Sequence, residues 1–131
     1  MQRKKLLFVM PFITLVILIM VIVMTGLIPK TLVSEKNKIS IVRVLYQGTE
    51  IPFNETEVLE VLSKYYSKKT IHKMDGYQTD KVVLEIDIVE HNKPKHILLG
   101  DFNIWYEATG KSVFQIINGQ ELLEELKKIF K

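Results

Sequence analysis

Asp80–His91, DKVVLEIDIVEH, is the stretch whose reading decides the fold. Val82, Leu84, Ile86 and Ile88 alternate with Glu85 and Asp87, and a period of two marks a strand with one buried and one solvated face. Working outward, Asn92-Lys93-Pro94-Lys95 predicts a hairpin turn into a strand over His96–Gly100. Phe102–Ala108 follows as another strand, and Thr109-Gly110-Lys111 turns the chain into Ser112–Ile117. On the other side, a loop over Lys69–Thr79 carries the turn signal Asp75-Gly76. Ile39–Tyr46, ISIVRVLY, is β-branched and strand-like, and Gln47-Gly48-Thr49 turns it toward a short return at Glu50–Phe53.

Two helices are written in the same cap grammar. Asn54 stands three residues before Glu57, a capping box, with Phe53 and Val58 placed as a hydrophobic staple. Val58, Leu59, Val61, Leu62, Tyr65 and Tyr66 then form an apolar stripe, and the helix is expected to stop near Ser67-Lys68. Asn118 and Glu121 repeat the box, Ile117 and Leu122 the staple, and Lys127, Lys128 and Lys131 suit the last turn. The shared string N-x-x-E-[VL]-L-E-x-L-x-K is a capped amphipathic pattern that needs no duplication to explain it.

Upstream of this lies Leu6–Ile28, without a charged residue. As a helix it would span roughly 35 Å, enough for a hydrocarbon core of about 30 Å. It is longer than a signal-peptide core and no small-x-small site follows it, so the expectation is an uncleaved signal-anchor. Arg3, Lys4 and Lys5 place the amino end in the cytoplasm and the remainder outside the cell membrane. The expected organisation is a basic stub at 1–5, a transmembrane helix at 6–28, a linker at 29–38 and an extracytoplasmic domain at 39–131. Its expected fold class is α+β, a two-layer sandwich with an antiparallel sheet of about five strands and two helices on one face.

Charge and composition exclude several functions. The chain has 18 Lys and Arg and 15 Asp and Glu, and removing Arg3, Lys4 and Lys5 leaves 15 basic residues against 15 acidic. The remainder is neutral and carries no basic cluster, so a nucleic-acid partner is not expected. No cysteine is present, which removes disulfides, thiolate metal sites, a cysteine nucleophile and a lipidated cysteine. The single alanine, Ala108, beside abundant Ile and Lys points to an AT-rich bacterial genome.

The strands ISIVRV and KVVLEIDIVE, and the ending Ile104-Trp105-Tyr106 … Val113-Phe114-Gln115-Ile116 before ELLEELKKIF, carry a pattern-level resemblance. With the strand, helix, meander and helix order they make the chain resemble small extracytoplasmic domains of unknown function on Gram-positive lipoproteins and membrane-anchored proteins. The resemblance implies location and fold and transfers no site.

His91 and His96 flank the expected turn and would face each other across it, with Asp87 or Glu90 as an oxygen donor. Spacing fixes no third ligand, so the pair is a weak metal candidate beside the reading of two solvated histidines. Trp105, the only tryptophan, alternates with Phe102, Ile104 and Tyr106 and would lie on the polar face. It is a candidate contact for a partner, unless it packs onto a loop or the linker. No G-x-S-x-G, H-E-x-x-H, P-loop or dinucleotide motif occurs, so no catalytic residue and no cofactor are expected. The expected function is a non-enzymatic binding module for a protein or cell-envelope partner. The alternative is an accessory subunit of a membrane complex acting through its helix.

Overall fold

The computed structural model describes residues 2–25, 28–33, 38–70, 77–107 and 112–130. The expected turns at Asp75-Gly76 and Thr109-Gly110-Lys111, and the side chains of Arg3, Lys4 and Lys5, lie outside the described residues. In chain order the elements are α1 (Gln2–Thr25), β1 (Lys30–Thr31), β2 (Ile39–Tyr46), β3 (Thr49–Ile51), α2 (Glu55–Leu62) and β4 (Tyr66–Lys69). After these come β5 (Val82–Glu90), β6 (Lys93–Gly100), β7 (Asn103–Glu107), β8 (Val113–Ile116) and α3 (Gly119–Ile129).

The eight strands form one antiparallel sheet in the order β1-β4-β8-β7-β6-β5-β2-β3. The expected five-stranded sheet is corrected to this eight-stranded one within the α+β class. Part of the difference comes from the segment read as a linker. Lys30–Thr31 pairs with Tyr66–Ser67, and Leu32 and Val33 are buried. A polar sequence can still supply an edge strand when two apolar residues beside it have a core to enter.

A further strand, β4, comes from the end of α2, expected near Ser67, and the short return after β2 pairs as β3. The helix stops at Leu62, and Lys64 and Tyr65 close it with backbone bonds to Val61 and Leu62. Tyr65 then accepts from the Leu32 amide and Tyr66 from the Ile117 amide, which draws Tyr66–Lys69 into the sheet. An eight-residue helix is marginal alone, so sheet pairing wins over continuing the apolar stripe.

The spanning helix is also corrected. Among the described residues, no helix is long and apolar enough to cross a membrane. The transmembrane helix at 6–28, single-pass anchoring and the cell-membrane localisation with an extracytoplasmic domain are therefore set aside. Pro11 lies inside α1, and large apolar side chains from Val9 to Val21 are exposed.

One face of the sheet carries the main core. Val44, Leu84, Ile86, Ile88, Ile97 and Leu99 meet Val58, Leu59 and Leu62 of α2 and Leu122, Leu123 and Leu126 of α3. Lys64, just past α2, and Glu125 of α3 form an ion pair at 3.0 Å, exposed and of small worth. Burial, with Glu125 beside it, pushes the Tyr65 hydroxyl up to about 12. The opposite face holds a smaller cluster of Leu98, Ile104 and Val113, flanked by Tyr77, Val82, Phe102 and Tyr106. Val82 reaches that face because the β5–β6 register shifts between Val82 and Leu84, breaking the alternation that placed it beside Leu84.

Local chemistry sets the turns. Gln47 and Gly48, both at positive φ, join β2 to β3. Glycine suits the second position, at φ 80°. Gly119 opens α3 directly against Asn103, whose side chain would collide with any Cβ placed there. The two asparagines expected to cap helices behave differently. Asn54 Oδ1 accepts from the Glu57 amide at 3.2 Å, as a cap should. Asn118 sits at φ 59° with no capping bond, as the pivot of a left-handed turn out of β8.

The difference is measurable by chemical denaturation. Asn54→Ala should cost about 1 kcal/mol, and Asn54→Gly only a few tenths. Asn118→Ala should cost about 1 kcal/mol, whereas Asn118→Gly should be neutral or stabilising. Loss of stability in Asn118→Gly would contradict the pivot role.

Candidate functional site

The decisive local feature is the turn between β5 and β6. His91 and Asn92 stand at φ 52° and 64°. They form a two-residue left-handed turn, rather than the turn expected at Asn92–Lys95. Glu90 therefore faces Lys93, and Asp87 faces His96. The structure does not bring His91 and His96 together as a cross-strand pair. His91 lies in the turn, while His96 joins Asp87 on the face opposite the helices.

Asp87 was expected on a solvated face but is buried. A register shift in β2 between Ile41 and Arg43 puts Arg43 opposite it. Arg43 Nε donates to Asp87 Oδ2 at 2.5 Å, and His96 Nδ1 lies 2.7 Å from Asp87 Oδ1. His96 also stacks on Tyr106, with centroids 5.0 Å apart. Glu85 completes the group, and ligand atoms of Glu85, Asp87 and His96 fall within 4.8 Å of one another. Burial and then Asp87 push the Glu85 carboxyl above the usual range, and burial with the same two carboxylates raises the Tyr106 hydroxyl. Three such donors are a minimal set for a cation, but Arg43 already supplies the positive charge that Asp87 requires. The arrangement chiefly ties β2, β5 and β6 together.

A second arrangement occupies the helix-bearing face, on the stretch that α2 and α3 leave uncovered. Register assigns Lys93, Lys95, Trp105, Glu107, Phe114, Ser67, Lys69 and Lys30 to this face. Trp105 does alternate with Ile104 and Tyr106, but its side is the core side, where it faces Ile97 rather than solvent. Its ring stacks on Phe114 at 3.9 Å and 3°. Its Nε1 donates to the buried Ser67 hydroxyl at 2.7 Å. Lys95 Nζ lies 3.9 Å from the ring centroid, within cation–π range. Lys69 pairs with Phe114 on the next strand. A row of cation, indole, phenyl and cation thus crosses β6, β7, β8 and β4.

Lys95 is itself buried. It donates to the Leu32 carbonyl, and Glu90 Oε2 lies 3.4 Å away. Burial lowers the Lys95 ammonium below the usual lysine range, with Glu90 opposing. Around this row lies a groove of about 840 Å³, bounded by Ile28–Thr31 on one side and the β5–β6 turn on the other. Trp105, Phe114 and Lys95 line it.

Sequence reasoning found Trp105 but not its setting. Phe114, Ser67, Lys69, Lys95 and Arg43 carried no signal in isolation. The His91-Asn92 turn was the available clue, since placing it fixes the β5–β6 pairs from Glu90–Lys93 to Leu84–Leu99. Compared with known proteins, the chain matches no family model, no curated protein and no solved structure.

Replacing Asp87 by Asn removes the carboxylate charge and one of the two oxygens that meet Arg43 and His96, and should cost about 1–3 kcal/mol, read from the denaturant midpoint. An unchanged midpoint would show that the three strands do not rely on it. Lys95 makes a pH prediction. Its value is depressed below the ordinary 10.5. The unfolded chain therefore binds this proton more tightly, so stability rises with pH from the folded value up to the unfolded one and is lost as pH falls through the folded value. Lys95→Met should remove that component, which is checked by subtracting its stability–pH curve from the parent's as pH is lowered from 10.5.

Proposed function

We propose that the chain is a non-enzymatic binding module whose groove beside Trp105 and Phe114 receives a segment of a partner protein. The observation that carries this is the groove itself, an aromatic-lined concavity on a sheet face whose other half is sealed by helices. Its volume falls in the range of about 300–1,000 Å³ typical of ligand sites. Aromatic residues at the centre of a concavity are the usual anchors of protein recognition. One wall belongs to β1, the edge of the sheet, where an extended segment can add its backbone to an open strand.

The Asp87–His96 pair does not favour an enzyme. Among the described residues, His96 Nδ1 meets Asp87 and its ring meets Tyr106, and no hydroxyl nucleophile is hydrogen-bonded to it. Asp87 is held by Arg43, which offsets the charge a general base would use.

Trp105 is the only tryptophan, so its emission reports the groove alone. Random peptides selected against the chain should shift that emission and lose at least about tenfold in affinity for Phe114→Ala. Selected peptides that bind Phe114→Ala equally and leave the emission unmoved would place recognition elsewhere.

A further inference from the structure

We infer that the groove selects an acidic, extended peptide segment, an inference that rests on the groove being the binding site. Three features of the groove point the same way. The first is the charge on its face. Lys30, Lys69 and Lys93 are all exposed and all belong to the groove face by register. Among the described residues none of the three is in an ion pair. Among the described residues two carboxylates share the face. Glu90 is engaged with Lys95 at the base, leaving Glu107 as the one acid set against three peripheral ammonium groups.

The second feature is how the aromatic row is covered. One face of the Trp105 ring lies on Phe114, and Lys95 Nζ lies over the ring as well. With its faces occupied, the indole offers a ligand its edge, and the edge is the positive part of an aromatic quadrupole. A flat sugar or a cation would want an open ring face. A carboxylate suits an edge flanked by ammonium groups.

The third feature is the wall. β1 is the sheet's edge strand, and its outward backbone donors and acceptors have no strand beside them among the described residues. An extended peptide can use those groups while its acidic side chains reach the lysines. A non-peptide polyanion would satisfy the lysines and leave the edge unused. Acidic and extended are therefore required together.

The experiment uses the full chain and follows Trp105 emission. The probes are short tryptophan-free peptides of alternating Glu-Thr, Gln-Thr and Lys-Thr, together with inorganic polyphosphate. The Glu-Thr peptide should bind at least about tenfold more tightly than the Gln-Thr peptide, and the Lys-Thr peptide should not bind. Raising NaCl from about 50 to about 300 mM should weaken the Glu-Thr complex severalfold. Combining Lys69→Glu with Lys93→Glu should transfer the preference to the Lys-Thr peptide with an unchanged melting temperature, and Lys30→Glu alone should reduce Glu-Thr binding in the same direction. Equal binding of the Glu and Gln peptides would overturn charge selection while leaving the groove as the site. Tighter binding of polyphosphate than of the Glu-Thr peptide would overturn the peptide assignment. If no probe moves the emission, the groove reading falls with it.

Discussion

The structure depends on one two-residue turn. His91 and Asn92 adopt left-handed backbone conformations, and that geometry fixes the register of β5 against β6. The pairings follow without further choice: Ile86 against Ile97 in the core, Asp87 against His96 on the far face, Ile88 against Lys95 on the near one. A slip of one residue would exchange the two faces of the hairpin. It would drive Ile97 and Leu99 toward water and carry Lys95 away from Trp105. Asparagine tolerates left-handed φ because its short polar side chain can bond locally, whereas His91 adopts it at a cost the sheet must offset.

The sheet buries both of its faces in part, and this explains the placement of its polar groups. On the helix side the core is continuous and aliphatic until it reaches the uncovered end, where Trp105, Phe114 and Lys95 replace leucine and isoleucine. On the other side, a small cluster around Leu98, Ile104 and Val113 shields Asp87 enough that its charge needs two partners. Buried charge is weak evidence for stability, but a slip in either pairing would separate Arg43, Asp87 and His96.

Much of this architecture was legible in the sequence where the signal is local. The run ISIVRVLY coincides with β2, the alternation around Leu84–Ile88 with the body of β5, and the Asn54 box with the start of α2. What was not legible depends on partners distant in the chain. Tyr66–Lys69 has helical spacing of its apolar neighbours, but Leu32 and Ile117 bond to its start and make it a strand. Lys30–Val33 has the composition of a linker, and only the depth available beneath it buries Leu32. The length and apolarity of Leu6–Ile28 suggested a membrane span that the described residues do not provide. At the candidate site, Trp105 stood out by type, while the lysines around it are ordinary until strand order places them on one face.

The bond from Lys95 to the Leu32 carbonyl has a mechanical consequence. Tension applied through α1 enters the sheet at Lys30–Thr31, an edge strand of two residues that can be unzipped one pair at a time. Just behind it, Leu32 is held three ways: by the apolar core around its side chain, by a buried ammonium on its carbonyl and by the bond from its amide to the Tyr65 carbonyl. The ammonium comes from β6, inside the sheet, so a pull that frees β1 meets Leu32 next. The edge of the groove can therefore yield while the body of the fold holds, as a fuse protects a circuit.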